Sequence, residues 1–197
     1  INYMVPGIVC VLLMEMMVPL TAFSLVRERE RGTIEQLMVT PVRAGEMLIG
    51  KTLPYVAIGL VDVLLIVGAG AFWFHVPLRG NILELLAAAA LFIVVSLGMG
   101  ILIATLVETQ QQATLSAQFA LVPNMLLSGF MFPIESMPEP MQMFTTILPM
   151  RYFLVIVRGI FMKGLGLADL WDQILPLAIL GAIVFSISWL RFRKVFG

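Results

Sequence analysis

Charge is scarce in this chain. Only 12% of its 197 residues are Asp, Glu, Lys or Arg, about half the share of an ordinary soluble domain. The charges that exist sum to zero, so no basic surface for nucleic acid is indicated. Cysteine is nearly absent: Cys10 stands alone inside an apolar run, which excludes a disulfide framework and points to a packed thiol. One histidine, His75, is far in sequence from that cysteine and cannot build a zinc site with it. With His75 at the end of an apolar run and no G-x-S-x-G elbow, an intramembrane serine hydrolase is a poor reading, and no catalytic residue is expected. No basic stretch precedes the first apolar run, so residues 1–25 do not read as a signal peptide. The chain enters that run almost at once from Ile1, and the expectation is a C-terminal piece of a longer protein.

What is present is hydrocarbon-compatible sequence. Hydrophobic residues make up 60% of the chain, mean hydropathy is +1.03, and the apolar runs approach the ~20 residues needed to cross a bilayer. The expected class is an all-α membrane protein, a bundle of about five transmembrane helices in one domain over 1–197. The spans read as roughly 5–25, 53–74, 83–107, 113–132 and 173–190. Pro19 is a candidate kink in the first. Asp169 reads as the N-cap of the last, with Trp73 and Trp171 as interfacial aromatics.

Residues 133–150 differ. Four prolines surround a short amphipathic pattern of Met141, Phe144, Ile147 and Leu148, with Ser136 and Glu139 at capping-box spacing. Pro149 stops that helix, and the apolar stretch 150–162 is too short to span. Two re-entrant half-helices at the outer face are expected over 133–163. Arg151 and Arg158, seven apart, share a face and reach toward headgroups or anionic cargo. Placing 27–52 and the C-terminus inside gives the inner side Arg27, Arg29, Arg31, Arg43, Lys51, Arg191, Arg193 and Lys194. Arg79, Arg151, Arg158 and Lys163 remain outside. That asymmetry favours N-terminus out and C-terminus in.

Residues 27–43, RERERGTIEQLMVTPVR, form the one dense charged patch. Ile34, Leu37 and Met38 fall on one helical face. Gly32 breaks the run out of the first span, and Thr33 with Gln36 has capping-box spacing. Thr40-Pro41 starts a second helix into the next span. The segment is expected to be a helical elbow along the inner membrane surface. It serves either as a topology anchor among headgroups or as a contact for a soluble partner. The alternating signs favour a protein partner, since glutamates are repelled by anionic lipid.

Residues 45–52, GEMLIGKT, match the phosphate-loop pattern G-x-x-x-x-G-K-[ST]. The match is rejected, because that loop needs a preceding strand within an α/β domain and this stretch is helical in character. Any ATP must bind another chain.

The stretches SLVRERERGTIEQLMVTPVRAGEMLIGKTLPY and LLSGFMFPIESMPEPMQMFTTILPMRYFLVIVRGIFMKG resemble the membrane subunits of type-2 ABC exporters, bacterial inner-membrane permeases of the multidrug-export kind. The similarity extends over essentially the whole chain. It implies a coupling helix that docks on an ATPase subunit, carried here by Glu28, Arg29, Glu30, Arg31, Gly32, Thr33 and Glu35. It also implies ABC ATPase subunits that bind ATP and magnesium, a second permease subunit in a homo- or heterodimer, and an exit shaped by Pro133 to Lys163. Subunits of that family have six spans, often with an extracytoplasmic domain after the first. This chain reads as starting where that domain would end.

Glu15 and Asp62 fall deep in the first two spans, where a carboxylate costs roughly 2.5–3.5 kcal/mol unless paired or hydrated. Either they face a wet pathway and contact cationic cargo, or they are protonated packing residues with Gln118 or Asn124 as partners. The fourteen methionines suit a pliable multi-substrate surface or ordinary gap-filling. A secondary transporter is the alternative reading, but no internal repeat supports it.

Overall fold

The computed structural model describes residues 4–32, 44–73 and 79–196. Every regular element among them is helical: α1 (Met4–Glu30), α2 (Ala44–Trp73), α3 (Ile82–Leu106), α4 (Gln110–Leu127), a 3-10 turn (Ile134–Ser136), α5 (Glu139–Thr145), α6 (Pro149–Arg158) with a π-helical turn (Gly159–Lys163), and α7 (Trp171–Phe196). Four segments are long and apolar enough to cross a bilayer: Met4–Glu30, Leu48–Trp73, Ile82–Leu106 and Trp171–Lys194. The α5–α6 pair, bent by 81°, makes a fifth if counted as one span.

The span expected at 113–132 is α4, and it stands outside that set. It begins with three glutamines, ends at Leu127, and has 18 residues. At 1.5 Å per residue it is about 27 Å long, slightly less than the hydrocarbon thickness. Residues 45–52 lie in the first turns of α2, the wrong backbone for a phosphate loop.

Helix α3 is the centre of the bundle, packing most extensively on α7 and α1 and also meeting α2, α4 and α6. Small residues permit this. A Cβ on Gly100 would lie 2.7 Å from both the Val18 carbonyl oxygen and Thr21 Cβ, so α1 and α3 touch backbone to backbone. On the α7 side, Ser188 Oγ donates to the Gly98 carbonyl at 2.7 Å. Between apolar helices in lipid, such close packing and interhelical hydrogen bonds supply the cohesion that water exclusion supplies elsewhere. By contrast α2 and α7 leave most of their apolar surface uncovered, as helices facing hydrocarbon do.

The short helices are pinned to this core. On α6 the residues Met150, Phe153, Leu154 and Val157 are buried, a stripe at helical spacing. Phe153 stacks on Phe92 of α3 with ring centroids 4.2 Å apart and planes 8° from parallel. Arg151 donates to the Gln142 carbonyl at 3.4 Å and to Thr145 Oγ1, and Arg158 donates to the Gly129 carbonyl at 3.3 Å. Both arginines therefore fasten neighbouring chain ends rather than extending freely. Gly164 is left-handed (φ +64°), and a Cβ there would sit 3.1 Å from the Arg79 carbonyl oxygen. That position holds the turn after α6 against the start of the α3 unit.

Two expected caps are not made. Ser136 Oγ donates to the Pro133 carbonyl, because α5 starts after Pro138 with no side-chain cap. Asp169 accepts from the Gly166 amide within the loop, and α7 begins two residues later at Trp171.

Candidate functional site

The first helix runs five residues further than the apolar pattern alone required, so Arg27 to Glu30 form its last turn. Gly32 then turns the chain with φ +67°, a conformation glycine adopts without penalty. Successive residues on a helix point about 100° apart. Three adjacent charged side chains therefore leave α1 in three directions, and each reaches a different helix.

Glu28 forms an ion pair with Lys51 near the start of α2, both side chains being about a quarter exposed (29% and 21%). Arg29 Nη1 donates to the carbonyl of Val107 at 3.1 Å, the residue that ends α3. Glu30 accepts from the Gln110 amide at 2.9 Å and from the Gln110 side-chain amide, at the first residue of α4. The signs are the favourable ones. A cation meets the carbonyl end of one helix and an anion meets the amide end of the next, through charge-assisted hydrogen bonds. The α3–α4 turn is itself braced: Thr109 Oγ1 accepts from the Gln112 amide at 3.2 Å, and the Gln112 side chain accepts from the Glu108 amide at 3.0 Å.

Of the seven residues implied as an ATPase contact, Glu28, Arg29 and Glu30 thus fasten α1 to three other helices. Arg27 and Arg31, one turn apart, share a different face and line an open groove between α1 and α2. Thr33 and Glu35 lie outside the described residues, as does the expected elbow helix. Lys51, Val107 and Gln110 were missed as members of this cluster. The signal for the last was present, since Thr109 and Gln112 stand at capping-box spacing.

The two intramembrane carboxylates are not brought together. Glu15 is exposed on α1 at a shallow groove of about 80 Å³ lined by Val11, Met14, Gln118, Leu121, Met125 and Met150 among others. Gln118, one suggested partner, is there, whereas Asn124 donates to the Ala120 carbonyl within its own helix. Asp62 does not line that groove. It is half-buried on α2, with its Oδ2 atom enclosed and without a hydrogen-bond partner among the described residues.

Several helices long and apolar enough to cross a bilayer, fastened to one another by charged side chains at the end of the first, define a polytopic membrane protein. The family model described as "ABC-2 type transporter" matches residues 1–162, and the chain belongs to that family. It is 33% identical over 194 residues to the probable multidrug ABC transporter permease YbhS of Escherichia coli (strain K12), covering 98% of this chain and 52% of the relative. It is 33% identical over 183 residues to the inner membrane transport permease YhhJ of the same organism, covering 90% of this chain and 48% of that protein. It is 29% identical over 197 residues to ABC transporter G family member 20 of Dictyostelium discoideum, covering 98% of this chain and 25% of that one. The chain spans about half the length of the bacterial relatives it matches.

Proposed function

We propose that this chain is part of the membrane subunit of an ATP-driven exporter that moves a hydrophobic or amphipathic compound across a bacterial inner membrane. Family membership supports this, as do relatives described as multidrug or transport permeases. In this reading ATP and magnesium bind a separate ATPase subunit, and a second permease subunit, identical or related, completes the pathway. The turn after α1 faces the cytoplasm with the C-terminus, and the α5–α6 segment shapes the exit at the outer face.

The observation that carries the reading is the triple attachment of the α1 end to α2, α3 and α4. A push delivered to the last turn of α1 is transmitted to four helices together. Interfaces and packed cores respond to such a push by shifting between discrete arrangements. Glu15 and Asp62 contact cationic cargo along the pathway, where an intramembrane charge is worth its insertion cost.

The test is co-purification with the partner ATPase subunit. Wild type is expected to retain it, and a variant with residues 28–35 scrambled is expected to lose it while remaining in the membrane. Retention of the ATPase by the scrambled variant would overturn the coupling role.

A further inference from the structure

We propose that the groove between α1 and α2 at Arg27 and Arg31 is a binding site for an anionic phospholipid of the adjacent leaflet. The groove encloses about 580 Å³ and is lined by Leu20, Phe23, Ser24, Arg27, Glu28, Arg31 and Tyr55. Leu20, Phe23 and Arg27 on α1 and Arg31 in the turn that continues it, its amide bonded to the Arg27 carbonyl at 3.1 Å, are separated by three, four and four residues, so they project as a stripe on one side over about 16 Å. The upper part of the stripe is apolar and belongs to a membrane-crossing helix. The lower part is doubly cationic.

Both arginines are exposed, and neither has a hydrogen-bond or ion-pair partner among the described residues. They differ in this from Arg29, which the Val107 carbonyl occupies. Among the described residues the one carboxylate lining the groove is Glu28, which is matched by Lys51, so none of them cancels the charge of the two guanidiniums. Ser24 and Tyr55 add hydroxyls beside them.

The occupant that satisfies both ends is a phosphodiester carrying acyl chains. Its phosphate sits between two guanidiniums, which suit phosphate oxygens geometrically, and a chain lies along Leu20 and Phe23. A free anion would leave the apolar half in contact with nothing. An acidic peptide would have to place polar backbone against hydrocarbon, which is costly. The site shares Glu28 and Arg31 with the segment proposed to meet the ATPase, but it needs only that the chain be embedded in a bilayer.

The experiment places a fluorescent reporter in the groove with Phe23→Trp, in the full chain reconstituted into phosphatidylcholine nanodiscs. A minor fraction of the lipid is either phosphatidylglycerol or phosphatidylcholine with brominated chains, and the signal of the parent without the reporter is subtracted. Brominated phosphatidylglycerol is expected to quench the reporter at a roughly 25-fold lower mole fraction than brominated phosphatidylcholine, about fivefold from each arginine. R27Q/R31Q should abolish this preference, R27K/R31K should keep most of it, and R191Q/R193Q should leave it intact. Equal quenching by the two lipids overturns the proposal, as does a preference that survives R27Q/R31Q. Loss of the preference in R191Q/R193Q would show general attraction to a basic surface, and displacement by millimolar glycerol phosphate would show a free-anion site. Either result also overturns it. Loss of the preference in R27K/R31K would overturn the proposal as well, so the lysine variant keeps the test decisive if the glutamine variant fails to fold.

Discussion

Arg29 and Val107 are 78 residues apart, yet the guanidinium of one closes the final turn of the helix that ends at the other, at 3.1 Å. The contact joins the end of α1 to the end of the central helix α3. Arg29→Gln should cost about 1.5–3 kcal/mol of stability, the range for a hydrogen bond from a charged group. Arg29→Lys should recover part of it. Thermal unfolding of the purified chain in detergent reads both, and an unchanged midpoint in the glutamine variant would remove the fastening role.

The Glu28–Lys51 pair ties α1 to α2 while remaining partly open to solvent. A double-mutant cycle with Glu28→Gln and Lys51→Met is expected to give a coupling energy of about 1 kcal/mol. That is above a typical surface pair and well below a fully buried one. Purely additive single effects would mean the two charges act independently.

Gly100 and Gly50 offer a matched contrast. A Cβ on Gly100 would collide with the backbone of α1, while nothing among the described residues lies within 4 Å of one on Gly50. Gly100→Ala should destabilise by about 1–3 kcal/mol through separation of α1 from α3. Gly50→Ala should be neutral, or stabilising by up to about 1 kcal/mol through helix propensity. Equal effects in thermal unfolding would contradict the packing described for α3.

Asp62 keeps a buried carboxylate oxygen without a hydrogen-bond partner among the described residues. Asp62→Asn is expected to raise stability by about 1–2 kcal/mol and to lower export of cationic compounds, a trade common at functional positions. Glu15→Gln should lower the same export. Dye-efflux rates at matched protein levels decide this, and full export in both variants would reassign the two carboxylates to packing.

The helical class and four membrane-crossing segments were legible from apolar run length, because lipid enforces a simple rule of length and polarity. Family kinship was legible in RERERGTIEQL and in the proline-rich stretch from Pro133. The destination of each charge was not. Glu28, Arg29 and Glu30 are adjacent in sequence, and their three partners are distributed over 60 residues of chain, so only the packing of α1 among α2, α3 and α4 reveals them. Ser136 and Asp169 misled for a related reason: short polar side chains at capping spacing also close local loops, and Pro138 and the turn before Trp171 decided where α5 and α7 began. The glutamine-rich start and 18-residue length of α4 likewise make it the least typical span, a feature hidden when 113–132 is read as an apolar run.

Because each member of the α1 fastening faces its partner by virtue of helical phase, its chemistry depends on counting as much as on composition. One residue inserted between Val26 and Arg27 would swing the whole charged turn by about 100° and leave every guanidinium and carboxylate aimed at the wrong neighbour. The stretch from Val26 to Glu30 must therefore keep its length.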